Sequence, residues 1–279
     1  MKEKLAKETE MCVQFLKERY ALDISVYDNS FLEKTIHNRL VVTSCKTTND
    51  YLEYLGNVPD EPTCLINQLS NSYSEFFRNQ LTFSILEQTI IPKLFNDSAT
   101  NRSHEIRIWS AGCASGQEPY SLAILFDDFK NNHPINTNYR IFATDNSQKK
   151  LDSAVKGIFD FKSVKNTKLE FVEKYFRRNG DNFMLDMNLM KQVDFSFYDL
   201  LEKDSNSPPS GIYGDFDLIV CCNVLLYYQP EIRQKILKKF YRSLKTYGFL
   251  ITGEVETSFV NSHAYFKQYT ISAPVFIKN

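Results

Sequence analysis

From Glu105 onward, short apolar runs of strand length alternate with stretches of helical period, and this rhythm limits the folds open to the chain more than any other feature. Residues 106–111, 139–144, 193–197, 216–221 and 249–253 read as strands, and 269–277 gives more strand-like sequence near the end. Between them, Leu122, Leu125, Phe126 and Phe129 recur at helical spacing, as do residues near 149–155 and then Ile232, Ile236, Leu237, Phe240 and Leu244. Strands alternating with helices predict an α/β fold with a doubly wound, mostly parallel sheet. The stretch between Gly157 and Val193 is too long for an ordinary connection and is expected to hold a small inserted element.

The first 56 residues differ in kind. Cys12, Val13, Leu16 and Tyr20, then Leu32, Ile36 and Leu40, then Tyr51, Leu52 and Leu55 fall at helical spacing, and the breaker-rich stretch 56–62 makes a joint. Residues 65–69 and 83–94 again read as helix. A helical N-terminal part joined to an α/β domain is the expectation.

Charge and composition exclude several function classes. The 33 lysines and arginines against 34 acids leave a net charge of −1, without the basic excess of a protein living on phosphate contacts. Apolar runs such as 218–222 are far shorter than the ~20 residues needed to span a bilayer, and the charged N-terminus has no signal-peptide core, so a cytoplasmic protein without membrane insertion is expected. The six cysteines form no CxxC pair and the four histidines show no metal-ligand spacing, so buried free thiols and no metal site are expected.

In open α/β sheets ligands bind beyond the carboxyl ends of the strands. After the first strand stands Ser110-Ala-Gly112-Cys-Ala-Ser-Gly116-Gln-Glu118-Pro119. Its small residues let the backbone turn sharply and approach a ligand, although a plain strand-to-helix turn would read the same way. The glycines are not spaced as GxGxxG and no lysine follows Gly116, which disfavours a pyrophosphate or triphosphate. After the second strand, Asp145 can accept both hydroxyls of a ribose or cap the next helix. After the third, Asp199 can accept from an adenine amino group or serve as a cap. The three positions together suggest an adenosine-containing ligand without polyphosphate, of which S-adenosylmethionine is the obvious one.

Five stretches then resemble the CheR family, the chemotaxis-receptor protein-glutamate O-methyltransferases. They are Asn71-Ser-Tyr-Ser-Glu-Phe-Phe-Arg78, Trp109-Ser-Ala-Gly-Cys-Ala-Ser-Gly-Gln-Glu-Pro-Tyr-Ser121, Ala143-Thr-Asp145, Val193-Asp-Phe-Ser-Phe-Tyr-Asp-Leu-Leu201 and Phe216-Asp-Leu-Ile-Val-Cys-Cys-Asn-Val-Leu-Leu-Tyr-Tyr228. The resemblance implies a helical domain over 1–70, a class I methyltransferase domain over 71–279 and a β subdomain inserted at about 159–192. It implies transfer of a methyl group from S-adenosylmethionine to receptor glutamates, leaving S-adenosylhomocysteine. Position by position it assigns Arg78 and Tyr227 to catalysis, and Ser74, Arg78, Gly112, Glu118, Asp145, Asp199, Leu200 and Asn223 to the cofactor. The implied partner is a helical, glutamate-bearing chemoreceptor-like protein, with a receptor tail peptide at the β subdomain, and the chain is expected to act as a monomer. The alternatives are a module that binds S-adenosylmethionine or S-adenosylhomocysteine without transfer, and a methyltransferase of another substrate class.

The chain departs from the family pattern at Gln117, Asp199, Cys222 and Glu254, where the family has Glu, Asn, Arg and His. Residues 1–70 carry 8 basic and 11 acidic side chains, where the family often uses a basic helix to meet its receptor.

Overall fold

The computed structural model describes residues 2–69, 74–100, 105–211 and 214–278, with side chains from residue 6 onward. The domain boundary expected at residue 70, the Asn71-Ser-Tyr73 start of the first family stretch and His104 lie outside the described residues. By its contacts the chain divides into two units.

The first unit contains α1 (Lys2–Tyr20), α2 (Asn29–Thr43), α3 (Thr48–Asn57) and α4 (Glu61–Leu69), together with the distant segment Leu226–Arg233. Local chemistry starts the helices. The Asp28 carboxylate accepts from the Ser30 N–H at the head of α2, and Thr47 and Asp50 form a reciprocal capping box at the head of α3. Cys12, Leu16, Ile24, Leu32, Ile36, Tyr51, Leu55 and Leu65 make the core. Tyr228 stacks on Tyr27 with ring centroids 5.4 Å apart, Tyr227 packs 4.7 Å from Phe31, and the Asp28 N–H donates to the Tyr227 carbonyl at 2.8 Å.

One ion pair crosses this helical core. The buried Glu61 carboxylate accepts from Arg39 Nε at 2.8 Å and from the Tyr51 hydroxyl at 2.7 Å. Removing one partner of such a pair leaves an uncompensated buried charge, so Arg39→Met is expected to cost about 3–5 kcal/mol of stability. The double change Arg39→Met with Glu61→Met should cost much less, and urea unfolding of the three proteins measures the difference.

The second unit begins with α5 (Gln80–Ile85), a π-helical turn at Leu86–Ile90 and α6 (Ile91–Thr100). There follow β1 (Glu105–Ala111), α7 (Gln117–Asn132), β2 (Asn138–Asp145), α8 (Gln148–Lys156), β3 (Ile158–Asp160), α9 (Phe161–Val164) and α10 (Leu169–Tyr175). Then come β4 (Phe176–Asn179), β5 (Asn182–Leu185), α11 (Met187–Met190), β6 (Val193–Phe197) and β7 (Phe216–Cys221). The chain ends with α12 (Pro230–Ser243), β8 (Leu244–Thr252), α13 (Thr257–Asn261), β9 (Phe266–Gln268) and β10 (Val275–Lys278); α12 belongs to this unit from Gln234 onward.

Seven strands form one sheet in the order β6-β2-β1-β7-β8-β10-β9, parallel through β8 and antiparallel for the last two pairings. Ile108, Leu122, Phe126, Ile141, Leu218, Val220, Phe249 and Ile251 belong to the core that packs this sheet against its helices. The direction of winding reverses between β1 and β7, which is the switch point where such sheets open a ligand crevice. The register pairs Ala111 with Thr144, Asp145 with Phe197 and Cys221 with Thr252, so the carboxyl ends of five strands finish at nearly one level. Between α8 and β6 a separate antiparallel sheet, β3-β5-β4, interrupts the alternation.

Three expectations need correction. The strand read over 269–277 is a turn followed by β10, because Pro274 lacks the N–H a ladder needs and the Ser272 N–H donates to Thr270 Oγ1 instead. The strand read over 249–253 begins five residues earlier, at Leu244. The thiols are not all buried, since Cys64 is exposed on α4 and Cys45 and Cys222 are half-buried.

Candidate active site

The loop after β1 is shaped by the last residues of β2. Gly112 and Cys113 both donate to the Thr144 carbonyl, at 2.8 and 2.9 Å, and Trp109 Nε1 donates to Thr144 Oγ1 at 2.9 Å. Gly112 lies at φ +78°, and a Cβ there would stand 2.5 Å from Val224 Cγ2, so a side chain is excluded by conformation and by space. The loop then leads through Gly116, at φ +94°, into α7.

Asp145 ties two loops together. One carboxylate oxygen accepts from the Ala114 N–H and the other from the Ser147 N–H, both at 2.9 Å. Ser147 occupies the N-cap position of α8 and makes no side-chain cap hydrogen bond there. Each oxygen keeps a further lone pair, as a ribose diol needs. The Asp145 carbonyl accepts from the Tyr198 N–H at 3.2 Å, which brings the Asp199-Leu200 turn alongside. The half-buried Asp199 accepts from the Leu201 N–H at 2.9 Å, and no helix follows it; Leu200 is buried.

The Phe-Phe-Arg stretch has a physical explanation. Phe76 packs edge-on to Phe159 and Phe176 at 4.8 and 5.2 Å, and Phe77 packs on Phe83 and Phe171. Phe77 adopts φ +51°, and its N–H donates at 3.1 Å to Ser121 Oγ, which itself donates to the Gln117 carbonyl. Two buried rings and one hydrogen bond to α7 thus fix the segment that carries the exposed Arg78. Ser74 is half-buried just ahead of it.

Glu118, in the first turn of α7, is the electrostatic centre of the site. Its carboxylate accepts from Ser110 Oγ at 2.7 Å and is hydrogen-bonded to the Cys222 thiol. Burial pushes its pKa up to about 7, helped by the Glu256 carboxylate and opposed by those two hydrogen bonds and by the Arg78 guanidinium. The same surroundings hold the Cys222 thiol protonated, well above its ordinary range, so it is no nucleophile.

Glu256 was not legible as a site residue. Fully buried, it accepts from the Gly253 and Asn223 N–H groups at 2.6 and 3.1 Å and so clamps the ends of β8 and β7. Asn223, at φ +60°, is held by that clamp. The capping-box spacing from Gly253 to Glu256 was the available signal. Glu254 is exposed and accepts from Asn79 Nδ2 at 3.0 Å, one residue past Arg78.

The structure therefore brings Ser74, Arg78, Gly112, Glu118, Asp145, Asp199, Leu200 and Asn223 into one unit, while Tyr227 belongs to the other. Among the described residues no group of acids, histidines and cysteines could hold a metal ion. A carboxylate acceptor at Asp145 and a half-buried acid at Glu118 that a cation would keep ionised fit a nucleoside with a cationic amino-acid end.

This sheet and site define a class I S-adenosylmethionine-dependent methyltransferase. The chain belongs to the CheR methyltransferase family, matching its all-alpha domain over residues 7–70 and its SAM-binding domain over residues 72–274. It is 30% identical to the chemotaxis protein methyltransferase of Borreliella burgdorferi over 88% of this chain and 86% of that one. The chemotaxis protein methyltransferase of Salmonella typhimurium is 32% identical over 87% and 81%, and that of Escherichia coli 32% over 79% and 75%.

Proposed function

We propose that this protein transfers the methyl group of S-adenosylmethionine to glutamate side chains of a chemoreceptor-like protein, forming methyl esters. The observation that carries this reading beyond family membership is Arg78, held by its two buried neighbours within electrostatic reach of Glu118. A guanidinium is the natural fork for a carboxylate.

Bound S-adenosylmethionine supplies a methyl carbon on a sulfonium: one acceptor oxygen bonds to it as the carbon–sulfur bond breaks, and neutral S-adenosylhomocysteine remains. No proton moves, because a free glutamate of pKa about 4.3 is already a carboxylate. The chain's task is alignment and exclusion of water. Asp145 holds the ribose, Asp199 and Leu200 the adenine, and Glu118 the cationic end. Ser74, Gly112 and Asn223 complete the wall around it. Arg78 positions the acceptor carboxylate without gripping it so tightly that its nucleophilicity is lost. Tyr227 enters this reading through its match to the family tyrosine, as a residue that orients the acceptor.

In the same reading the helical part over 1–70 and the domain over 71–279 are separate modules. The insert at about 159–192 offers the open edges of β3 and β4 to a receptor tail peptide as an added strand. The exposed Arg177 and Arg178 on β4 suit an acidic tail. The protein acts as a monomer. No helix among the described residues is long and apolar enough to cross a membrane, which accords with a protein that meets its receptor in the cytoplasm.

The test is incubation with methyl-labelled S-adenosylmethionine and a chemoreceptor cytoplasmic fragment, followed by mild alkali. Label released as methanol is expected. Alkali-stable label would point to nitrogen methylation, and cofactor binding without label on any receptor fragment would favour a binding module.

A further inference from the structure

Lys239 is buried on α12 together with Ile236, Leu237, Phe240 and Ser243, and is only 7% exposed. A lysine so enclosed needs partners, and its partners all lie in one place. Its ammonium donates to the Tyr198 hydroxyl at 2.9 Å and to the Glu202 carbonyl at 2.7 Å, and sits 4.9 Å from the centre of the Tyr198 ring. The Tyr198 hydroxyl passes the interaction on by donating to the Ser205 carbonyl at 2.8 Å. One turn further along α12, Ser243 Oγ donates to the Asn206 carbonyl.

These bonds span the turn Asp199-Leu-Leu-Glu-Lys-Asp-Ser-Asn206, which has neither helix nor strand of its own. A segment of that composition keeps one conformation only if something fixes its carbonyls. Tyr198 is anchored independently, with its ring edge-on to Trp109 at 5.8 Å and its N–H on the Asp145 carbonyl. Lys239 closes the other side of the turn. Burial lowers the pKa of its ammonium, while the facing Asp199 and Glu202 carboxylates oppose that fall.

We infer that Lys239 is a positioning residue for the adenine end of the cofactor: by tying the Tyr198 hydroxyl to the Glu202 carbonyl it sets the turn that presents Asp199 and Leu200, without touching the cofactor itself. The inference rests on the assignment of Asp199 and Leu200 to the adenine.

The experiment compares adenosine and S-adenosylhomocysteine binding by calorimetry, and methyl transfer across a range of S-adenosylmethionine concentrations, in wild type, Lys239→Met, Tyr198→Phe, the double variant of these two, and Asp199→Ala. Lys239→Met should weaken both ligands by the same factor, roughly tenfold, as when the released turn presents Asp199 and Leu200 only about a tenth of the time. Its effect should fall on KM and leave kcat within about twofold. Tyr198→Phe keeps the ring and loses the relay, so it should give a smaller loss of the same kind, and the double variant should lose less than the product of the two. If Lys239→Met does not fold, Tyr198→Phe alone decides. Unchanged adenosine affinity in both variants, with Asp199→Ala impaired, overturns the inference and leaves the cofactor reading intact. Unchanged affinity in Asp199→Ala as well shows that the adenine assignment itself is wrong.

Discussion

Replacing Arg78 by alanine should lower kcat for receptor methylation by about a hundredfold or more while weakening S-adenosylhomocysteine binding far less. The reason is geometric. An in-line displacement needs the acceptor oxygen, methyl carbon and sulfur aligned, and a misplacement of about 1 Å can cost on the order of a hundredfold. Arg78 is the expected clamp, carried on a segment that Phe76, Phe77 and the Phe77–Ser121 hydrogen bond hold against α7. Lysine at this position keeps the charge but not the paired donors, so Arg78→Lys should recover only part of the loss. Arg78→Ala also removes a cation that favours ionised Glu118, so the midpoint for Glu118 should rise in that variant. Single-turnover methylation together with a binding pH profile separates the two effects. Equal losses in cofactor affinity and in transfer would reassign Arg78 to holding the cofactor.

The second large effect is a pH dependence of cofactor binding. With its pKa at about 7, Glu118 is mostly protonated in the free protein at pH 5, whereas the cationic cofactor end favours the carboxylate. Binding below pH 7 must therefore release a proton, and affinity should climb roughly tenfold per pH unit between pH 5 and 7 before levelling. The sign for stability is the reverse. A carboxyl whose folded pKa lies above its unfolded value costs the free fold stability as pH rises from about 4.5 through 7, and the bound cofactor offsets that cost. Glu118→Gln should flatten the binding profile. Glu256→Gln removes the like charge and should move the midpoint down, provided the clamp on Asn223 and Gly253 survives the change. Calorimetry across this pH range reads all three, and a flat wild-type profile would contradict the assigned role of Glu118.

What the sequence disclosed and what it concealed divide along physical lines. The strands β1, β2, β6 and β7 were legible because β2 and β7 hold short apolar runs and β1 and β6 alternate apolar with polar residues, and the site followed because small or acidic residues stand where those strands stop. The core roles of Phe76 and Phe77 were visible only as a family pattern, since apart from Phe83 their ring partners, Phe159, Phe171 and Phe176, lie more than 80 residues away in the insert. Glu256 acts across the pairing that sets Cys221 opposite Thr252, and its partner Asn223 stands 33 residues away in sequence, beyond the reach of local pattern. Lys239 is one of several cations along α12, and nothing local distinguishes the enclosed one from exposed neighbours such as Lys235. Tyr227 read as a strand-end residue beside Asn223, yet the chain turns between them and its ring packs on Phe31 of the helical unit.

The cofactor site is the claim on which the rest depends, and Asp145 is its most exacting test. Calorimetric titration with S-adenosylmethionine and S-adenosylhomocysteine should give saturable binding of both to the wild type. Asp145→Ala removes two ribose bonds to a charged acceptor, each worth about 1.5–3 kcal/mol, so its affinity should fall by about a hundredfold or more. Well-folded wild type that binds neither ligand, or an Asp145→Ala protein that binds them equally well, would contradict the account.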